Sequence, residues 1–181
     1  MTDGGSNILI IGFGNPGRLD DGLGPALIDV LEEKNLSGVT LDADYQLTVE
    51  TAADLRECDS VLFVDADVAG SEPFYVRRLT AGEAGISFST HHISPEGVVA
   101  LAKDMFDAQP EAFVMGIRGY DFNEFGERLS ERAQQNLAAA IDYVMSAVDH
   151  RTFTEVGCDA GEADRQADRQ KEDNPCKMES T

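Results

Sequence analysis

Three groups of side chains in this sequence could do chemistry together. They are the adjacent acids Asp20 and Asp21, the acid Asp65, and the adjacent imidazoles of His91 and His92. Carboxylate oxygens and neutral imidazole nitrogens suit Ni, Zn, Mn or Fe as ligands and are poor ligands for Cu(I). Three such ligands from separate loops would form an open site, in which water or a substrate group takes the remaining positions.

Each of these residues also has an ordinary structural explanation. An acid directly before an amphipathic helix is most often its N-cap, and an acid that ends a buried strand commonly accepts hydrogen bonds from the next loop. One cap does not require two acids, so we expect Asp20 or a nearby backbone group to cap the helix and Asp21 to face a ligand. Either His91 or His92 could supply the imidazole, because spacing does not distinguish them.

The elements that must position these residues follow from the hydrophobic pattern. Continuous apolar runs predict buried strands at 8–12 and 61–64, and weaker patterns predict strands at 39–43, 74–79 and 113–117. Apolar residues at helical spacing predict helices from Leu23, after Thr48, from Ser94 and from Ser130. The resulting order, β-α-β-α-β-β-α-β-α, predicts an α/β fold: a three-layer α/β/α sandwich with a mostly parallel five-stranded sheet and 74–79 at an edge.

In such sheets, ligands bind outside the carboxyl ends of the parallel strands. The loop 14–21 follows the first strand, Asp65 ends the third, and residues 90–92 precede the third helix. We therefore expect these three segments to meet at one edge of the sheet, although they are distant along the chain.

Composition and charge exclude several classes of protein. The chain has 181 residues with 34 acidic and 14 basic side chains, a net charge of −20, which disfavours binding to nucleic acid or to an anionic membrane surface. No apolar run is long enough to cross a bilayer and the N-terminus lacks a signal pattern, so a cytoplasmic location is expected. Three Cys without a CxxC pair indicate neither a disulfide framework nor a zinc knuckle.

The chain divides into a single predicted domain and a tail. Residues 1–150 contain all the predicted elements, whereas apolar residues become sparse in 151–181. An acidic segment of that composition cannot bury enough apolar surface to order itself, so a disordered C-terminal tail is predicted from residue 151.

The glycines after the first strand raise two alternatives. Gly12, Gly14 and Gly17 satisfy the dinucleotide fingerprint GxGxxG, but the helical pattern begins only at Leu23, and two acids occupy the position where a diphosphate would bind. The same turn resembles that of the peptidyl-tRNA hydrolases. Those enzymes need a His close to this loop and a basic face for RNA, whereas the first His here is His91 and the net charge is negative.

Four segments together resemble the NiFe-hydrogenase maturation proteases, over about residues 7–148 and in the same order. They are GFGN and DDGLGP within 12–25, VLFVDA at 61–66, THHISP at 90–95 and VMGIRGY at 114–120. Two differences from the better-known members stand out. The first-loop ligand is Asp21 where some relatives have Glu, and residues 44–47 replace a Gly-rich turn.

This resemblance implies a phosphorylase/hydrolase-like fold and a specific activity. Family members are endopeptidases that remove a C-terminal extension from the hydrogenase large-subunit precursor after nickel insertion. They are hydrolases of an aspartic or metal-dependent type. The nickel arrives with the substrate, and no organic cofactor is implied. The family's catalytic and nickel-binding residues correspond to Asp21, Asp65 and His91. The non-enzymatic alternative is a module that binds metal or a basic partner without cleaving it.

Overall fold

The computed structural model describes residues 6–79 and 93–157. Within these ranges the chain forms β1 (Ile8–Phe13), α1 (Leu23–Glu32), β2 (Val39–Asp44), α2 (Thr51–Asp54), β3 (Ser60–Asp67), β4 (Phe74–Arg78), α3 (Pro95–Phe106), β5 (Glu111–Arg118) and α4 (Glu131–His150). Short 3-10 turns at Leu19–Gly22 and Leu55–Glu57 flank α1 and α2. The element order predicted from the sequence is confirmed.

The five strands form one sheet in the order β2-β1-β3-β5-β4. All neighbouring strands are parallel except β4, which pairs antiparallel with β5. The predicted edge position of this strand is therefore confirmed. Because β1, β2, β3 and β5 run in the same direction, their carboxyl ends lie along one edge of the sheet, which we call the carboxyl edge.

Alternate residues of the buried strands pack on opposite faces of the sheet. Ile8 and Ile10 belong to the core formed with α1 and α4. Leu9 and Ile11 belong to the core formed with α2 and α3. This alternation is the period of a strand buried on both faces, and it gives the three layers predicted from the sequence.

The helices begin in two different ways. Ser94 and Ser130 cap α3 and α4, since their side-chain oxygens accept hydrogen bonds from the backbone N–H groups of Gly97 and Ala133. By contrast, α1 follows a 3-10 turn and has no side-chain cap. Of the two alternatives expected for this cap, Asp20 or a nearby backbone group, Asp20 is therefore wrong. Among the described residues, no helix combines the length and the apolar character needed to cross a bilayer.

The packed part of the chain continues past residue 150. Phe153 is buried, and its ring centroid lies 5.6 Å from that of Phe113 in β5. Val156 then forms an antiparallel bridge with Val76 of β4, with N···O distances of 2.7 and 3.0 Å. The boundary predicted at residue 150 is therefore too early, because one aromatic residue and two backbone hydrogen bonds anchor the segment 151–157. Residues 158–181, most of the predicted tail, lie outside the described ranges.

Candidate functional site

The start of α1 packs directly against the carboxyl ends of two central strands. A Cβ on Gly24 would lie 2.5 Å from the carbonyl oxygen of Phe13 and 2.6 Å from that of Val64, a distance that real Cβ atoms do not show. Gly24 therefore permits a close approach of helix to sheet that a larger residue would prevent. This packing holds the preceding turn, Leu19–Gly22, against the carboxyl edge.

Asp20 lies on the inner side of that turn and is fully buried. Its carboxylate accepts four hydrogen bonds, from the backbone N–H groups of Tyr120, Asp121 and Ser130 and from the Ser130 hydroxyl, at 2.7 to 3.0 Å. Burial by itself opposes ionisation, but these hydrogen bonds outweigh it and lower the pKa of Asp20. Asp20 is thus a structural anchor between the first loop and the loop that follows β5.

Asp21 lies on the other side of the turn and is only half-buried. One of its carboxylate oxygens accepts a hydrogen bond from the backbone N–H of Asn15, at 3.1 Å. The side-chain oxygen of Asn15 in turn accepts one from the N–H of Gly17, at 2.9 Å. The loop between β1 and α1 is therefore folded around the carboxylate of Asp21, which stays accessible at the carboxyl edge.

Asp65, in the last part of β3, is close to Asp21. Its carboxylate accepts one hydrogen bond, from the N–H of Ala66 at 2.8 Å. Burial, the largest cause, and the negative charges of Asp21 and Asp67 together raise the pKa of Asp65 to about 7, although the single hydrogen bond partly offsets them. The structure thus brings Asp21 and Asp65 together as a pair of acids with few compensating partners.

A cavity of about 270 Å³ lies beside Asp65. Its walls come from the ends of β1 and β3, from β4 and β5, from the loop after β2, and from the start of α3. They include Phe13, Leu47, Tyr75, Ile93, Ser94 and Met115. Ile93 and Ser94 directly follow the two adjacent histidines in the sequence. The second described range, 93–157, therefore begins at the wall of this cavity.

His91 and His92 themselves lie outside the described residues. The assignment of His91, rather than His92, as the third ligand therefore stays a prediction. Within residues 6–79 and 93–157, no three His, Cys, Asp or Glu side chains are grouped closely enough to hold a metal ion. Asp21 and Asp65 supply hard oxygen donors, which suit a divalent metal, and a complete three-ligand set needs one more donor from elsewhere in the chain or from a ligand.

Two residues at the carboxyl edge were not anticipated from the sequence. Asp67 accepts hydrogen bonds from the backbone N–H groups of Ala69 and Gly70, at 2.7 and 2.8 Å, and from the hydroxyl of Tyr75, at 3.0 Å. The ring of Tyr75 covers Gly116 of β5, where a Cβ would lie 2.3 Å from a ring atom. The alternation Asp65-Ala-Asp67 and the glycine inside β5 were the available signals for this arrangement.

Cys58 lies at the opposite edge of the sheet, just before β3 begins. Its thiol is half-buried and donates a hydrogen bond to the carbonyl of Leu55, at 3.6 Å. Burial, together with nearby negative charges including that of Asp59, raises the pKa of the Cys58 thiol to about 11. Such a thiol is largely protonated and unreactive at neutral pH.

Comparisons with known proteins give a consistent result at the level of structure. No protein-family model matches the chain, and no curated protein matches it by sequence. The solved structure of a hydrogenase 2 maturation peptidase from a Thaumarchaeota archaeon is similar, with a TM-score of 0.60, 27% identity, and coverage of 79% of this chain and 98% of the other.

Two structures with lower sequence identity to this chain share the fold. The NiFe hydrogenase maturation protease HycI from Thermococcus kodakarensis has a TM-score of 0.63 and 21% identity, covering 81% of this chain and 95% of the other. The hydrogenase maturating endopeptidase HybD from Escherichia coli has a TM-score of 0.60 and 20% identity, covering 87% and 99%. The α/β fold and the family resemblance indicated by the sequence motifs are confirmed.

Proposed function

We propose that this chain, which resembles the NiFe-hydrogenase maturation proteases in motifs and in fold, is an endopeptidase of hydrogenase maturation. Its substrate is a NiFe-hydrogenase large-subunit precursor, from which it removes a C-terminal extension after nickel insertion. The nickel is part of the substrate and serves as the recognition element. The observation that carries this proposal is the pairing of Asp21 with Asp65 at the carboxyl edge, where burial and the charge of Asp21 raise the pKa of Asp65 to about 7.

An acid pair of this kind destabilises the folded protein, and it can bind a cation. Two carboxylates with few hydrogen-bond partners repel each other, and a divalent ion between them would remove that repulsion. Asp21, Asp65 and His91 are the proposed nickel ligands and catalytic residues. Because a precursor without nickel would leave the acids unpaired, affinity would depend on the metal already being in place.

Asp65 also has a protonation behaviour that suits hydrolysis. A carboxyl group with a pKa near 7 exists in both forms at neutral pH, so it can take a proton from water or return one to a leaving amine. Binding of a divalent cation would favour the ionised form and release the proton.

The test is a cleavage assay with matched substrates. The full chain is incubated with nickel-loaded and nickel-free large-subunit precursors, and the loss of a C-terminal fragment is followed by mass spectrometry. We expect cleavage of the nickel-loaded precursor alone. Asp21→Asn, Asp65→Asn and His91→Ala are each expected to abolish it, whereas Asp29→Asn, a change of the same charge at an exposed position on α1, is expected to have no effect.

The same assay separates the alternatives. Activity lost in His92→Ala and retained in His91→Ala would move the third ligand by one residue. Binding of the loaded precursor without cleavage would identify a non-catalytic binding module instead. Cleavage that is unchanged in all the variants would remove the metal interpretation.

A further inference from the structure

The two edge strands of the sheet, β4 and β2, differ in whether another segment pairs with their outer side. At the β4 edge, Val156 exchanges two backbone hydrogen bonds with Val76, and Glu155 accepts a hydrogen bond from the N–H of Arg78, at 3.0 Å. The segment 151–157 therefore covers that edge. No described segment pairs with the outer side of β2, whose residues are half-buried or exposed.

The hydrogen bonds between β2 and β1 show which backbone N–H and C=O groups of β2 do not bond to β1. The N–H of Ile8 donates to the carbonyl of Gly38, and the N–H of Gly14 donates to that of Asp44, both at 3.1 Å. In a parallel ladder, alternate residues bond to the same neighbour. Residues 38, 40, 42 and 44 thus face β1, and the N–H and C=O groups of Leu41 and Ala43 point outward, where no described residue bonds to them.

The surroundings of this edge are strongly acidic. Residues 39–59 contain one base, Arg56, and six acids: Asp42, Asp44, Glu50, Asp54, Glu57 and Asp59. The guanidinium of Arg56 lies over the ring of Phe106 in α3, at 5.5 Å from its centroid. Asp42, Asp54 and Glu57 line a cavity of about 420 Å³ next to Thr40 and Leu41. Within the described part of the chain, none of these acids has an ion-pair partner.

The edge also leads to the candidate site. Beyond the carboxyl end of β2, Tyr45 and Val49 are 68% and 56% exposed. Between them, Gln46 and Leu47 line the cavity beside Asp65. A chain added on the outer side of β2 would lie three strand spacings from β3, so it would end roughly 14 Å from the end of β3.

We propose that the free edge of β2 binds an extended, basic segment of the substrate protein as an additional strand, and that this segment guides the scissile region to the cavity beside Asp65. The identity of the partner rests on the proposed function. Lys or Arg at alternate positions of the bound segment would face Asp42 and Asp44, which lie on one face of β2, while Leu41 and Ala43 supply the backbone hydrogen bonds.

Amide hydrogen exchange tests the added strand directly. The full chain is mixed with a peptide of about eight residues that alternates Lys and Val, or with its Glu and Val counterpart. We expect the Lys peptide alone to slow exchange at Leu41 and Ala43 by roughly tenfold or more, because these amides gain a partner. The amides of Thr40 and Asp42, already bonded to β1, should not change.

Three results would overturn the proposal. The first is binding of the Lys peptide without slower exchange at Leu41 and Ala43. The second is an equal effect of the Glu peptide. The third is slower exchange at these amides when the protein alone is concentrated, which would show that a second copy of the chain occupies the edge.

A matched pair of variants tests the same hydrogen bonds by removal. Ala43→Pro deletes an outward N–H without removing a hydrogen bond to β1, and Pro is tolerated in edge strands. Ala43→Val keeps the N–H. We expect the Pro variant to bind the Lys peptide roughly tenfold more weakly and the Val variant to bind it like the parent. Equal binding by both would contradict the proposal.

A charge variant keeps the test decisive if Ala43→Pro does not fold. The double variant Asp42→Asn, Asp44→Asn should weaken Lys-peptide binding and reduce its dependence on salt, whereas Asp29→Asn should change neither. Unaltered binding by the double variant would contradict the proposed charge complementarity.

Cleavage kinetics then connect the edge to the site. With a nickel-loaded precursor, Ala43→Pro should raise KM roughly tenfold and leave kcat within about twofold, because it removes binding distant from the chemistry. An unchanged KM would mean that the edge does not guide the substrate. If the parent protein cleaves no precursor, the proposed function fails, while the peptide experiments still decide whether the edge binds a strand.

Discussion

Asp20 and Asp65 are two acids at the same edge of the sheet whose surroundings change their pKa values in opposite directions. Asp20 is fully buried and accepts four hydrogen bonds, and its pKa is lowered. Asp65 accepts one hydrogen bond and lies near two other acids, and its pKa is raised to about 7. Burial opposes ionisation in both, so the difference comes from the number of hydrogen-bond donors and from the two acids near Asp65.

This contrast separates an acid that stabilises the fold from an acid that is available for chemistry. The donors around Asp20 come from the loop after β5 and from the start of α4, so its charge joins distant parts of the chain. Asp65 lies beside a cavity and can accept further hydrogen bonds, and its ionised form lowers the stability of the fold. Perturbed carboxyl groups of this second kind are concentrated at functional sites.

The largest expected effect is on activity. Asp65→Asn should lower the rate of precursor cleavage roughly 10³-fold, since an amide cannot accept a proton and is a weak metal ligand. Single-turnover cleavage measured by mass spectrometry checks this, with Asp29→Asn as the exposed control. Parental rates in Asp65→Asn would contradict the proposed role of this acid.

The next effect is on stability, at the other acid. Asp20→Asn should lower the free energy of unfolding by about 2 to 4 kcal/mol at pH 7, because an amide NH₂ would face buried N–H donors. Because the pKa of Asp20 is lowered from 3.8 on folding, its ionised form stabilises the fold above that pH, and this contribution is lost as the pH falls through the lowered pKa. Urea denaturation at several pH values measures both. A loss below about 0.5 kcal/mol, as expected for Asp29→Asn, would show that the four hydrogen bonds contribute little.

For Asp65→Asn, the change in the free energy of unfolding measured by urea denaturation should have the opposite sign. The pKa of Asp65 rises from 3.8 to about 7 on folding, so the folded state binds more protons and the ionised group costs stability as the pH rises through this interval. The variant should therefore be more stable than the parent by about 1 to 3 kcal/mol at pH 8. The gain should shrink towards pH 4. A gain that does not depend on pH would point to packing as its cause.

The smallest effect tests the charge interaction between Asp21 and Asp65. Asp21→Asn removes one negative charge near Asp65, but burial is the larger cause of the raised pKa. The pKa of Asp65 should fall by roughly 0.5 and stay well above 3.8. Carboxyl carbon chemical shifts followed by NMR titration measure this change. A return to an ordinary pKa would mean that charge repulsion, and not burial, dominates the site.

Much of the fold was predictable because its signals are local. Apolar runs and helical spacing identified the five strands and the main helices, and Ser94 and Ser130 were evident as caps from the residues that follow them. The end of the folded part was not predicted. Only the packing of Phe153 against Phe113 and the bridge between Val156 and Val76 make the segment 151–157 part of the core.

The sequence by itself determined that acids follow the first and third strands and that parallel strands bring them to one edge. It did not determine how Asp20 and Asp21, which are adjacent and chemically identical, differ in burial and in hydrogen bonding. Only the tertiary structure decided this, because the donors that bind Asp20 belong to Tyr120, Asp121 and Ser130, about 100 residues away in the chain. Hydrogen-bond partners and burial are properties of the folded chain, whereas hydrophobic period is a property of each segment.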